Sequence, residues 1–195
     1  MISAVVLAAG KSIRMGEPKI NLPWGRTTVL GQILNSLIAV AIGEVIVVSG
    51  ETEIVGLPVN LPEFIHFVQN PIPDQTGMLG SLKIGLAASS SASLAALVVL
   101  GDQPQIESEV IKSLLQTYRQ ASYPLLMPSY HNRRGHPWLL GRSLWPDIAR
   151  LDATKTMRDF LREHNDIISY LVVESASILQ DLDTPADYAR YHANS

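Results

Sequence analysis

A three-layer α/β fold, with a mostly parallel, Rossmann-like sheet covered by helices on both faces, is what three features of the sequence predict. Ile2 to Leu7, Glu44 to Ser49 and Leu94 to Leu100 are short, near-continuous apolar runs rich in β-branched residues, the composition of strands covered on both faces. Amphipathic stretches at helical spacing alternate with them, so successive strands need crossover connections, which are right-handed in parallel sheets. The runs end in loops of Gly, Pro, Asp and Asn, and loops beyond the carboxyl ends of such strands border the ligand crevice of open α/β sheets.

Composition limits what that crevice can serve. The 195 residues show no break in composition and are 47% hydrophobic, so one domain spanning 1–195 with a sizeable core is expected. With a net charge of −3 and scattered Lys and Arg, the chain lacks the basic face that nucleic-acid binding requires. The absence of cysteine excludes disulfides, thiolate metal sites and cysteine nucleophiles. No run approaches the about 18 apolar residues of a membrane span, and Met1-Ile2-Ser3 lacks the basic start of a signal peptide. The expectation is a soluble cytoplasmic protein without membrane or nucleic-acid partners.

The first strand runs into Leu7-Ala8-Ala9-Gly10-Lys11-Ser12-Ile13-Arg14-Met15-Gly16-Glu17-Pro18-Lys19. Gly10 and Gly16 let the backbone turn sharply and bring N–H groups close to an anion. Arg14 and Lys19, with Lys11 as a further candidate, add the positive charge that phosphate oxygens need. A P-loop is disfavoured because Val5 stands where its first glycine belongs, and the dinucleotide fingerprint fails at Ser12. The loop is expected to hold a nucleoside triphosphate.

The remaining elements follow in order. Val29, Leu30, Ile33, Leu34, Leu37 and Ile38 make an amphipathic helix with a threonine before it as cap, and Glu44 to Ser49 is the next strand. Residues 51 to 64 are irregular, Ile65 to Val68 is a third short strand, Asn70 to Gly80 a loop, Ser81 to Ala88 a helix and Ser89 to Ser93 a surface loop. Leu94 to Leu100 is a strand that stops at Gly101-Asp102-Gln103-Pro104. Asp102 is either a turn residue or a carboxylate facing the phosphate loop. In the second case it repels each phosphate by about 4 kcal/mol at about 4 Å with an effective dielectric of about 20, so a bridging Mg²⁺ is implied. Glu107 to Gln120 reads as a helix, Leu125 to Met127 as a strand, Leu139 to Ile148 and Thr154 to Arg162 as helices, and Ile167 to Val173 as the last strand. Thr184-Pro185 has the cap and first-turn residues of a closing helix, with Asp187 in its first turn.

The pattern L-A-A-G-x-S-x-R-M-G-x-x-K resembles the N-terminal signature of the nucleotidyltransferase family that includes molybdenum cofactor cytidylyltransferase and the related guanylyltransferase, and every defined position is present. The resemblance implies a nucleotide-diphospho-sugar transferase-like fold and a loop, Leu7 to Lys19, wrapped around the triphosphate with Arg14 and Lys19 on its oxygens. Ala9 resembles the cytidylyl branch. Asn70, Gly77, Ser81 and Gly85 match residues that flank base and ribose, and Gly101 to Pro104 the metal-binding turn. Arg133, Arg134, Gly135 and His136 match an R-x-G-H-P segment on the acceptor side. By their chemistry alone, a hydrogen-bonded histidine and a phosphate-binding arginine are equal readings there, and the spacing of His131 and His136 does not suit zinc. Either Asp183, preferred, or Asp181 completes the metal site.

The chain departs from the family pattern at Asp152-Ala153-Thr154-Lys155-Thr156, where an aspartate, a glycine and an arginine are usual. This leaves the acceptor open. The implied reaction is transfer of CMP from CTP to a phosphate-bearing acceptor, molybdopterin, releasing pyrophosphate, with Arg14, Lys19 and Asp102 as catalytic residues, Mg²⁺ as cofactor and a recipient molybdoenzyme as partner. A sugar-phosphate nucleotidyltransferase and a non-catalytic, cofactor-carrying chaperone are the alternatives.

Overall fold

The apolar runs occupy the centre of a twisted sheet. In the computed structural model, which describes residues 1–12, 15–58 and 60–192, β1 (Ile2–Ala8) lies between β4 (Glu44–Ser49) and β6 (Ala95–Leu100) and is parallel to both. A two-stranded ribbon of β2 (Pro23–Trp24) and β3 (Thr27–Thr28) precedes α1 (Val29–Ala39), which leads to β4. The chain continues through β5 (Ile65–Gln69), α2 (Pro73–Ala88), β6, α3 (Ser108–Ala121), β7 (Leu125–Tyr130), β8 (Arg133–Arg134) and β9 (Trp138–Gly141). It ends with α4 (Trp145–Arg150), α5 (Met157–Glu163), β10 (Ile168–Val172) and α6 (Pro185–His192). The main sheet runs in the order β10-β7-β9-β6-β1-β4-β5, with β8 paired to β7 off this path. Only β8 and β9 run antiparallel to their neighbours in it among the described residues.

Alternation along β1 creates the two core layers. Ala4 and Val6 face α1 and α3, meeting Leu30, Leu34, Leu37, Ile111 and Leu114, while Val5 faces α2, α4 and α5 with Leu82, Ile148 and Phe160. The expected three layers are therefore present. At the start of α1 the Gly31 N–H donates to the Thr28 hydroxyl at 3.1 Å, the N-cap foreseen from the sequence.

Four expectations need correction. Leu139 to Ile148 is not one helix: Trp138–Gly141 is strand β9, residues 142–144 form a 3-10 turn, and α4 begins at Trp145. Pro146 explains the boundary, since proline fits the first turn of a helix and breaks its interior. Helix α2 already starts at Pro73 and is interrupted at Gly77, whose φ of 56° and ψ of −155° are not helical. Helix α5 starts at Met157 rather than Thr154, because Thr156 and Asp159 form a reciprocal capping box. Ser89 and Ser93 are buried, so the serine run is only partly a surface loop.

Gly85 shows how close the layers come. A Cβ there would lie 2.3 Å from Val5 Cγ1 and 3.0 Å from Val48 Cγ2, on β-branched residues fully buried in β1 and β4 that have little freedom to move. Its place in the fold is packing of α2 on the sheet. Gly85→Ala is expected to lower stability by about 1–3 kcal/mol, read as a lower urea midpoint at unchanged m. A midpoint equal to wild type would show slack in this interface.

Candidate active site

Parallel β1 and β6 end at one level, Leu7 opposite Leu100, so the loops that follow them meet. The Gly101 N–H donates to the Leu7 carbonyl at 2.9 Å. A Cβ on Gly101 would be 2.7 Å from that oxygen and 2.9 Å from Ala8 Cα, so glycine is what lets the G-D turn lie against the end of β1 and the loop that follows it. A cleft of about 1080 Å³ opens above them, just above the usual range for small-ligand sites, which ends at about 1,000 Å³.

Leu7, Ala8, Ala9, Gly10, Lys11, Ser12, Lys19, Gly77, Ser81 and Asp102 all line this cleft. Arg14 lies outside the described residues. Met15 and Gly16 belong to the loop but not to the cleft wall, Met15 donating its N–H to the Ser12 carbonyl at 2.9 Å. Asn70 sits behind the wall, fully buried. Its amide nitrogen donates to Thr76 Oγ1 at 2.9 Å and Ser81 Oγ at 3.1 Å, and its oxygen accepts from the Ile72 N–H at 3.1 Å, so it fastens the start of α2. Across the mouth, Lys11 pairs with Asp74 of α2, which raises the lysine pKa first by hydrogen bonding and then by charge.

Lys19 joins the loop to two carboxylates. Its N–H donates to Ser12 Oγ at 3.0 Å, while its ammonium is 3.1 Å from Asp102 Oδ2 and 3.0 Å from Asp183 Oδ1. Asp183 reaches that position because residues 180–183 are strapped to the Asp102 turn. Gln105 Nε2 donates to the Gln180 carbonyl, Gln103 Nε2 to Asp181 Oδ1 at 2.7 Å, and the Leu182 N–H to the Asp102 carbonyl at 3.1 Å. Beyond the strap, Thr184 and Asp187 cap α6 reciprocally, and Tyr188 donates to the Pro23 carbonyl at 2.5 Å. Asp183, not Asp181, thus shares a cation with Asp102. Asp181 is held by Gln103, and burial together with the Asp102 charge pushes its carboxyl pKa up.

The opposite wall is cationic above an apolar floor. Successive strand residues face opposite sides, so Arg134 lines the cleft and Arg133 does not. Gly135 is also off the wall, pressed against the Ile178 carbonyl. His136 lines the cleft and stacks on Trp138, with centroids 4.2 Å apart and planes 19° apart. Its Nε2 is buried with no partner among the described residues, and burial lowers its pKa to about 3, so the ring is neutral near pH 7.

The departure at Asp152 to Thr156 is a well-tied turn. Asp152 accepts from the Thr154 N–H at 2.9 Å, Lys155 pairs with Glu163 at 2.8 Å, and Lys83 donates to the Leu151 carbonyl at 2.6 Å. The turn delivers Arg158 and Arg162 to the cleft beside Met157 and Leu161. The sequence reading missed both arginines. Their i, i+4 spacing, next to an apolar pair at the same spacing, was the available signal.

Comparison with known proteins places this geometry in context. The family described as a MobA-like NTP transferase domain matches residues 4–167. Molybdenum cofactor cytidylyltransferase of Escherichia coli K12 is 26% identical over 96% of this chain and 93% of its own length. Purine catabolism protein PucB of Bacillus subtilis is 25% identical over 94% and 92%. Among solved structures, Rv0371c of Mycobacterium tuberculosis H37Rv superposes with a TM-score of 0.80 at 25% identity, covering 99% of this chain and 98% of that one. A manganese complex of the same protein gives 0.76 at 25% identity, covering 100% and 99%. No helix among the described residues is long and apolar enough to cross a membrane.

The buried histidine makes stability depend on pH. The folded pKa of His136 is about 3 and the unfolded one about 6.5, so as pH falls below 6.5 only the unfolded chain gains the proton. This contribution is whole above pH 6.5 and is lost toward pH 3 at up to about 1.4 kcal/mol per unit. Between pH 7 and pH 5, urea unfolding of the wild type should lose about 2 kcal/mol more than that of His136→Gln. Parallel curves would mean that the ring takes up its proton without leaving the fold.

Proposed function

This chain belongs to the MobA-like NTP transferase domain family and is a nucleotidyltransferase, and we propose that it transfers CMP from CTP to the phosphate of molybdopterin, releasing pyrophosphate, with Mg²⁺ as its cofactor. The observation that carries the reading is the meeting of the phosphate loop, Lys19, Asp102 and Asp183 in one place. A phosphate monoester is already anionic, so its oxygen attacks the α-phosphorus as the bond to the pyrophosphate oxygen breaks, and no general base is required. Positioning and charge stabilisation then carry the rate. The N–H groups of the Gly10 turn and the Lys19 ammonium bear the charge of the departing pyrophosphate, and Arg14 is proposed to share that task.

The residues fit the cofactor. Asp102 Oδ2 and Asp183 Oδ1 converge on a single ammonium nitrogen, so they aim at a point that a small cation can occupy. No three acidic, histidine or cysteine side chains converge among the described residues, and Mg²⁺ is ordinarily held by one or two carboxylates plus substrate phosphates and waters. Bound there, Mg²⁺ would neutralise charge between the nucleotide phosphates and the two carboxylates. Support also comes from the M. tuberculosis relative, whose structure has been solved with manganese.

The nucleotide and acceptor rest on the site's chemistry and its relatives. Ala9, in the position that distinguishes the cytidylyl branch, and the E. coli relative both favour CTP. On the acceptor side, Arg134, Arg158 and Arg162 suit a phosphate, while Trp138, Met157 and Leu161 form an apolar floor suited to a flat ring system. A sugar phosphate would present hydroxyls to that floor with few partners. A carrier that only binds has no evident use for two carboxylates facing the phosphate loop. The same reading supplies a recipient molybdoenzyme as partner and the cytoplasm as location.

Pyrophosphate release measured with CTP, GTP, ATP and UTP against molybdopterin and glucose 1-phosphate is expected to be fastest with CTP and molybdopterin. Lys19→Ala and Asp102→Ala should keep the far-UV circular dichroism of the wild type and lose about a hundredfold or more in kcat/KM. Near-normal turnover in Asp102→Ala would sink the cation assignment. Arg158→Ala is expected to raise KM for the acceptor about tenfold, as loss of a charge-assisted phosphate contact would, and to leave KM for CTP unchanged. A rise confined to CTP would move Arg158 to the nucleotide side.

A further inference from the structure

The position between Asp102 and Asp183 is already filled by a cation of the chain itself. The Lys19 ammonium lies 3.1 Å from one carboxylate and 3.0 Å from the other, with its side chain only 12% exposed. A divalent ion bound to the same two oxygens would sit against this ammonium, and two cations at such a separation repel. Lys19 also has a second place to go. Its backbone is tied to Ser12 of the phosphate loop at 3.0 Å, and both residues line the cleft. Rotation of its flexible four-carbon stem would carry the charge toward phosphates without moving the loop.

We propose that Lys19 is an exchangeable internal cation, holding the two carboxylates in the nucleotide-free protein and releasing them to the divalent ion when a triphosphate offers its ammonium other anionic oxygens. The inference rests on the reading of Asp102 and Asp183 as the cation site, and adds an order to it: the metal-binding carboxylates are opened by the nucleotide. Free metal ion meets a pair that already holds the positive charge of the lysine. Nucleotide draws the lysine away, so nucleotide and metal bind with positive coupling, which linkage makes reciprocal. No bond is made or broken in the exchange. One charged side chain trades carboxylate partners for phosphate partners.

Mn²⁺ tests this without turnover. Free Mn²⁺ is counted by electron paramagnetic resonance in titrations of wild type, Lys19→Met and the double variant Lys19→Met/Asp183→Asn, all without nucleotide. Lys19→Met is expected to bind Mn²⁺ about tenfold tighter than wild type, equivalent to about 1.4 kcal/mol, and Asp183→Asn to remove the gain. If Lys19→Met does not fold, Lys19→Gln takes its place, with the same gain expected. Equal Mn²⁺ affinity in wild type and the folded Lys19 variant overturns the exchange. Wild type and Asp102→Asn are then compared with CTP present. Weaker Mn²⁺ binding in Asp102→Asn leaves the carboxylate site standing even where the exchange has failed, and unchanged binding overturns both.

Discussion

Lys19 ties together three segments that are remote in the chain, contacting residues 83 and 164 positions away. What brings them together is a constraint of the sheet. Because β1 and β6 are parallel neighbours in register, their carboxyl ends share one edge, and the loops after them must lie side by side. Glycine at 101 then allows near-contact of the two backbones, and the 180–183 strap adds the third member. The two carboxylate oxygens on Lys19 are at most about 6 Å apart, where like charges repel by roughly 3 kcal/mol at an effective dielectric of about 20. Asp183 is half exposed, so solvent reduces that figure. Even so reduced, it is comparable with the effect of a typical single mutation, and a cation between the carboxylates offsets it.

The facing wall follows from the strand that breaks the parallel pattern. In β9 the first residue, Trp138, pairs with Val98 near the carboxyl end of β6. An antiparallel strand presents its beginning where its parallel neighbours present their ends. The segment before β9, with Arg134 and His136, therefore reaches the same cleft as the loops that follow β1 and β6. Helix α5 completes the wall from the layer below, where Met157, Phe160 and Leu161 are buried and leave Arg158 and Arg162 at the surface.

Much of this was legible in the sequence, for a physical reason. Strands covered on both faces need no polar alternation, so β1, β4 and β6 stand out as unbroken apolar runs, and loops that must approach an anion carry glycine and cations that are visible as text. The strand β9 was hidden because Trp138-Leu139-Leu140-Gly141 is too short for its period to be read. Pro146, seven residues from the start of the helix expected there, was the overlooked signal. Gly85 is visible as a glycine in a ligand-side motif, yet the packing of α2 on β1 is enough to require it. The choice between Asp181 and Asp183 could not be read from spacing, since both precede α6. In the structure Gln103 takes Asp181 as its partner, while Asp183 lies against the Lys19 ammonium.

The two walls use different cations, and the difference matches what each would have to do in the proposed transfer. An acceptor phosphate needs a fixed orientation, and arginine offers a planar fork whose charge is never lost. The pyrophosphate end needs a charge that can be elsewhere until the nucleotide arrives. Lysine, a point charge on a flexible stem with three rotatable donors, can satisfy two carboxylates in one rotamer and phosphates in another. Arginine at position 19 would hold the carboxylates in a more rigid fork and give them up less readily. Between the walls, a histidine kept neutral by burial adds no charge of its own, so the charge on the cleft lining comes from the arginines at one side, the lysine–carboxylate set at the other and the Lys11–Asp74 pair at the mouth.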